Sequence, residues 1–138
     1  MLTAVLTIAS RRLQVAYTVF AVVIADVLAL AVKAAVERPR PHLDPLVRVP
    51  TDWSFPSGHA ATSFAGATML SLFFPRLAPV LYGLAIAIAF SRVYVGVHYP
   101  VDVIGGAALG TAVGWGVFRA LPTLERFPLR RRAAPPPG

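Results

Sequence analysis

Apolar residues run through the chain in four long blocks, each closed by a short polar or proline-rich break. The first, Leu13 to Val36, has Gln14, Asp26 and Lys33 as its strongly polar interruptions and is long enough for a tilted transmembrane helix, which needs about 20 residues. The second runs from about Ser57 to Phe74 and stops at Pro75 and Arg76, the third from about Leu77 to Val95, and the fourth from about Pro100 to Leu121. Residues 1–9 are apolar but too short to cross a bilayer, so they read as the tail of an earlier helix. Arg11 and Arg12 follow this stretch instead of preceding it, the wrong order for a signal peptide, and a truncated or late-started chain is the expectation.

The breaks are as informative as the blocks. Glu37-Arg-Pro-Arg-Pro41 ends the first helix and opens a loop that continues to Phe55, with Trp53 and Phe55 suited to an interfacial aromatic belt and His42 read as a solvated loop histidine. Pro100 fits the first position of a helix and biases the residue before it away from helix, which puts His98 on the preceding loop and Asp102 in the first turn. An acid there is favoured by the helix dipole and is close enough to orient His98. Gly106, Gly110 and Gly114 follow at four-residue spacing, a small-residue stripe for close helix packing in lipid, and Asp102 continues the same face. Asp26 and Lys33, two turns apart, share a side of the first helix, and Asp26 reads as a buried polar link between helices in preference to a catalytic group.

Composition turns this pattern into a class. With 57% hydrophobic and only 14% charged residues, the chain predicts an all-α integral membrane bundle of about four transmembrane helices. The absence of cysteine excludes disulfides and a thiol nucleophile. A net charge of +7 is split between loops and helix ends and forms no amphipathic face, which argues against nucleic acid as a partner. Residues 122–138, with Arg126, Arg130, Arg131, Arg132 and a proline run, read as a disordered basic tail after a membrane domain spanning 1–121. Arg11, Arg12, Arg76, Arg119 and the four tail arginines fall on one side of the membrane, against Lys33, Arg38, Arg40, Arg48 and Arg92 on the other; the positive-inside rule makes the larger set cytoplasmic.

The smaller set converges on the end that also carries the histidines. Lys33, Arg40, Ser57, Gly58, His59, Arg92, His98 and Asp102 together form the inventory of a phosphate site. Two arginines supply forked charge-assisted hydrogen bonds, and Lys33, the only lysine, supplies a point charge. Ser57 and Gly58 open a helix whose free N–H groups favour an anion, and two histidines permit one to attack and one to handle protons.

Lys33-x6-Arg40-Pro41, Pro56-Ser-Gly-His59 and Ser91-Arg92-x5-His98-x3-Asp102 resemble, in order and spacing, the three-part signature of the type 2 phosphatidic acid phosphatase superfamily, which also includes bacterial isoprenyl-diphosphate phosphatases and vanadium haloperoxidases. The resemblance implies that His98 is the nucleophile, that Asp102 fixes its tautomer, and that His59 protonates the leaving group and then activates water. Lys33, Arg40, Arg92, Ser57 and the Gly58 amide would hold the phosphoryl oxygens, and no metal or other cofactor is implied. The spacer from Lys33 selects Arg40 for phosphate and leaves Arg38 as a rim charge. Membrane members of the family usually have six spans, so a homo-oligomer or partner helices would cover the missing ones. The expected function is hydrolysis of a membrane-embedded lipid phosphate at the extracytoplasmic face. An isoprenyl diphosphate of the undecaprenyl type is the first choice, and phosphatidic acid or phosphatidylglycerol phosphate the alternative. A haloperoxidase and a non-catalytic lipid-phosphate-binding protein are the rivals: the apolar spans speak against the first, and the intact histidines and Asp102 against the second.

Overall fold

The computed structural model describes residues 2–41, 46, 48 and 50–121, with only the backbone course given for residues 2–10. Four helices account for most of it: α1 (Leu2–Val36), α2 (Gly58–Phe73), α3 (Ala78–Tyr94) and α4 (Pro100–Ala120), with a short 3-10 turn at Pro75–Leu77 between α2 and α3. The described residues contain no strand. His42 and the basic tail lie outside the described residues.

Helix boundaries follow local chemistry. α1 ends where Glu37 takes a left-handed φ of 50° and returns its N–H to the Lys33 carbonyl, after which Pro39 and Pro41 forbid further helix. α3 ends in a turn at Gly96, whose φ of 79° a residue with Cβ adopts only under strain, and Pro100 opens α4 four residues later. The third and fourth expected segments are therefore found within a residue or two of their predicted limits. The expectation of a separate earlier helix is corrected: no break separates residues 2–9 from the first span, because no Gly or Pro falls between Leu2 and Val36 and α1 runs continuously through Arg11 and Arg12.

The glycine stripe sets the packing. α2 and α4 run parallel, and Gly106, Gly110 and Gly114 are buried against successive turns of α2. A Cβ at Gly106 would stand 2.4 Å from the Ser57 carbonyl oxygen, and one at Gly110 only 2.0 Å from that of Ala61. α1 lies antiparallel across the same helix through small residues, Ala25 and Ala29 against Ala61 and Ala65. At the far end Ala21, Met69, Phe73 and Leu121 form a second cluster, with Phe118 edge-on to Phe73 at 5.5 Å. α3 closes the other side of α2 through Tyr82, which packs on Phe64 and hydrogen-bonds Thr68 at 3.0 Å.

α2 is thus surrounded on three sides, and no large apolar side chain on it is exposed. On the other helices the reverse holds: Val19, Phe20, Val23 and Val27 on α1, Val80, Leu84, Ile86 and Phe90 on α3, and Ile104 and Trp115 on α4 all face outward. An apolar exterior around small buried residues is the arrangement lipid favours, since packing there is driven by close contact and not by hiding apolar area from water. The chain is a multi-pass membrane protein. Among the described residues the four expected apolar blocks form four helices. Three segments among the described residues, Arg11–Val36, Pro75–Tyr94 and Pro100–Ala120, are long and apolar enough to cross a bilayer. α2, with 16 residues, reaches only about 24 Å at 1.5 Å per residue.

Trp53 is exposed as an interfacial residue would be. Phe55 instead packs its ring against Gly105 of α4, where a Cβ would come within 2.5 Å of it.

Candidate active site

The C-terminal ends of α1 and α3 and the N-terminal ends of α2 and α4 meet at one end of the bundle, and this shared end is why motifs far apart in sequence converge. Between them lies a cavity of about 390 Å³ lined by Lys33, Arg40, Asp52, Gly58, His59, Arg92 and His98, together with Asp26, Leu30, Arg48, Pro50, Thr62 and Val97. That volume suits a small headgroup.

Behind the wall, Asp102 is fully buried and is the hub of the polar network. As an acid in the first turn of α4 it reaches back to accept the Tyr99 N–H at 2.8 Å, and the Ser54 hydroxyl donates to the same oxygen, Oδ2. Its other oxygen accepts Arg38 Nη1 at 3.0 Å, while the Arg38 guanidinium lies over the Tyr99 ring at 4.5 Å. The expectation for Arg38 is corrected here: it is no rim charge, because the only fully buried carboxylate among the described residues needs a cation, and the chain leaving α1 brings Arg38 to it. The backbone carbonyl of Asp102 also receives the Ser57 N–H at 2.9 Å, which ties α4 to α2.

His98 sits directly over this hub, 5% exposed. Its Nδ1 lies 3.6 Å from Asp102 Oδ2, close enough for charge attraction but beyond a hydrogen bond, and Nδ1 has no other partner. Its Nε2 is 3.2 Å from Arg40 Nη1. A guanidinium only donates, so in this contact Nε2 carries the lone pair and the ring proton is on Nδ1, facing Asp102. That is the tautomer a nucleophile toward phosphorus requires. Burial, and then the positive charges of Arg40 and Lys33, push the His98 pKa down to about 4 against the opposing pull of Asp102, so the ring is neutral at physiological pH.

Lys33 and Arg40 are brought together as expected, but they share a carboxylate that sequence reasoning did not single out. Asp52 Oδ2 accepts Lys33 Nζ at 2.7 Å and Oδ1 accepts Arg40 Nη2 at 2.6 Å. Partial burial alone would raise the Asp52 pKa, but the hydrogen bonds and charges of Lys33 and Arg40 outweigh it and hold the carboxyl below its usual range. Of the other expected residues, His59 projects from the first turn of α2 into the cavity and Arg92 enters from the last turn of α3, spending its Nε on Ser91 Oγ at 3.1 Å. Gly58 forms part of the wall. Ser57 does not: it is fully buried behind the cavity, its amide is taken by Asp102, and its Oγ has no partner. Asp26 is exposed to the cavity on the same side of α1 as Lys33, so the reading of a buried interhelical link is corrected.

Residues 14–126 match the sequence profile of the PAP2 superfamily. The chain belongs to that family. It is 40% identical over 120 residues to the undecaprenyl-diphosphatase of Sulfolobus acidocaldarius, an alignment covering 82% of this chain and 58% of that protein. Among solved structures it resembles Aquifex aeolicus LpxE, with a TM-score of 0.71, 31% identity, and coverage of 79% of this chain and 69% of that one. It also resembles the transmembrane PAP2-type phosphatidylglycerolphosphate phosphatase of Bacillus subtilis, with a TM-score of 0.66, 29% identity, and coverage of 74% and 56%.

In this PAP2 chain the residues missed from sequence, Asp52, Ser54 and Arg38 in its role toward Asp102, all come from the loop between α1 and α2. The signal available was slight: an acid at position 52 amid a cation-rich, proline-rich stretch. The electrostatics of the PAP2 site are directly measurable. Ring-proton NMR of His98 in detergent should give a titration midpoint near 4. Arg40→Gln should move that midpoint upward, because removing a neighbouring positive charge favours the imidazolium. A wild-type midpoint at the ordinary histidine value would contradict the burial and charge environment described above.

Proposed function

We propose that this protein is a phosphatase for membrane-embedded lipid phosphates or diphosphates, working through a phosphohistidine without a metal. The observation that carries the reading is His98 Nε2, held by Arg40 at the wall of a cavity that also holds Lys33, Arg92 and His59. In the first step His98 Nε2 attacks phosphorus and the bond to the leaving oxygen breaks, with His59 donating the proton that oxygen needs. In the second step His59 takes a proton from water, which attacks the phosphohistidine and releases phosphate. Lys33, Arg40, Arg92 and the Gly58 amide hold the phosphoryl oxygens and stabilise the charge they gain in the transition state. Asp102 holds the His98 proton on Nδ1, and Arg38, Ser54 and the Tyr99 amide hold Asp102. Ser57 acts from behind, by positioning the start of α2.

The cavity opens among helix ends flanked by apolar outer faces, which fits a substrate whose tail stays in lipid while its headgroup meets the cations. An isoprenyl diphosphate is the first choice, supported by the similarity to an undecaprenyl-diphosphatase. Phosphatidylglycerol phosphate is the alternative, favoured by the similarity to the Bacillus phosphatase. The positive-inside count supports a site on the extracytoplasmic side with the C-terminal end in the cytoplasm.

Phosphate release from a panel of these lipids in sealed vesicles of known orientation tests both points. Release should be inhibited by orthovanadate and should appear on the face opposite the C-terminal end. No release from any member of the panel would refute the reading, and release on the same face would refute the orientation.

A further inference from the structure

Arg40 has five N–H donors, and in this structure each has an internal partner: Nε bonds the Asp52 carbonyl at 2.9 Å, Nη1 the Val97 carbonyl at 2.8 Å and His98 Nε2 at 3.2 Å, and Nη2 the Asp52 carboxylate at 2.6 Å and the Trp53 carbonyl at 3.4 Å. Lys33 likewise spends its ammonium on Asp52 and on the Trp53 carbonyl. Arg40 has no donor left for a phosphoryl group until something leaves, and Lys33, with two of its three N–H donors engaged, can offer only one. The carbonyls belong to backbone and the cation side chains are nearly buried, Lys33 at 7% and Arg40 at 8% exposure, whereas the Asp52 side chain is 45% exposed. Asp52 is therefore the group free to move. Its two oxygens, one on each cation, reproduce the O–P–O fork of a bound phosphate.

We propose that Asp52 is a specificity-determining residue: a built-in counter-anion occupying the phosphoryl position at Lys33 and Arg40, which a headgroup must displace and which only a dianionic headgroup displaces well. This rests on the phosphatase reading above.

The reason is charge and tethering. A phosphodiester lipid brings one negative charge, no more than Asp52 already supplies, and Asp52 competes from within the chain at high effective concentration. A terminal phosphate above its second pKa of about 6 brings nearly two charges and three acceptor oxygens, enough to outbid the carboxylate and still engage Arg92. A phosphatase embedded in a bilayer is surrounded by phosphodiester headgroups, and an unguarded cationic cavity would fill with them. With Asp52 in place, Arg40 also caps the His98 lone pair, so the resting site is closed at the cations and at the attacking nitrogen together.

The test is Asp52→Asn, which keeps the shape and removes the charge, assayed in micelles with a dianionic lipid phosphate as substrate and phosphatidylglycerol as a phosphodiester competitor. KM should fall about fivefold, the upper end of the range expected for a partly exposed charge-assisted pair. Phosphatidylglycerol, without effect on the wild type, should become a competitive inhibitor of the variant. Asp52→Ala should shift both readings in the same direction. If Asp52 is instead a brace that holds the two cations in place, KM rises or kcat falls in both variants; that result, or a variant still insensitive to phosphatidylglycerol, overturns the proposal. Should the protein release no phosphate at all, the phosphatase reading fails but the displacement can still be examined. In a Trp115→Phe background Trp53 is the single tryptophan. Its fluorescence should report inorganic phosphate binding about fivefold tighter when Asp52 is Asn, and equal or weaker binding sinks the idea.

Discussion

His98→Ala should abolish turnover, by on the order of 10⁴-fold or more, and with it any acid-labile phosphoryl adduct on the protein. The expectation comes from its position: among the described residues it is the imidazole whose Nε2 meets Arg40 at the cation-lined cavity while the opposite nitrogen faces the buried Asp102. Inorganic phosphate binding should survive, since Lys33, Arg40 and Arg92 are untouched. His59→Ala should fail differently. With a natural leaving group the first step slows for want of a proton, but an activated aryl phosphate needs little protonation and still phosphorylates His98. The second step then lacks its base, so the adduct accumulates. Rapid quench followed by mass mapping separates these outcomes. A phosphoryl group found on His59, or one persisting in the His98→Ala protein, would reverse the two roles.

Gly110→Ala should be the most damaging single methyl group that can be added to the bundle. Its Cβ would lie 2.0 Å from the Ala61 carbonyl oxygen and 2.9 Å from the Ala65 amide nitrogen. Both are helix backbone, so no side-chain rotation relieves the clash and α4 must move away from α2. That movement separates Asp102 from the Ser57 amide and opens the site at the same time. A loss of about 3 kcal/mol or more is expected, at or beyond the upper end of ordinary overpacking. Gly116→Ala is the control: nothing lies within 4 Å of its added Cβ, and the better helix propensity of alanine makes the change neutral or slightly favourable. Thermal unfolding in detergent distinguishes the two, and a Gly110→Ala protein that melts with the wild type would show that the stripe is not the contact that holds α2 to α4.

Most of the helical framework was legible because its causes are local. Pro75 and Pro100 act on the residues next to them, Gly96 permits a turn where it stands, and the four-residue spacing of Gly106, Gly110 and Gly114 marks a face whatever it packs against. The gathering of Lys33, Arg40, His59, Arg92 and His98 at one end was legible for the same reason. Each lies near a helix terminus, and alternation of helix direction brings those termini to one membrane face.

What sequence alone determined is therefore the class of fold, the helix limits from α2 onward, the face on which α4 packs and the end of the bundle where the chemistry lies. Tertiary structure alone decided which cation serves which anion. Arg38 and Asp102 are separated by 64 positions, and Ser54 and Asp102 by 48. Asp52 meets Lys33 only because the segment from Pro50 to Ser57 returns to the C-terminal end of α1. That stretch has no helical period to say where a side chain points. Two arginines two positions apart, Arg38 and Arg40, are equivalent in charge and differ only in what the folded loop brings within 3 Å of each. A guanidinium's partner is set by the last few ångströms of a nonlocal approach, and hydrophobic periodicity carries no information at that scale.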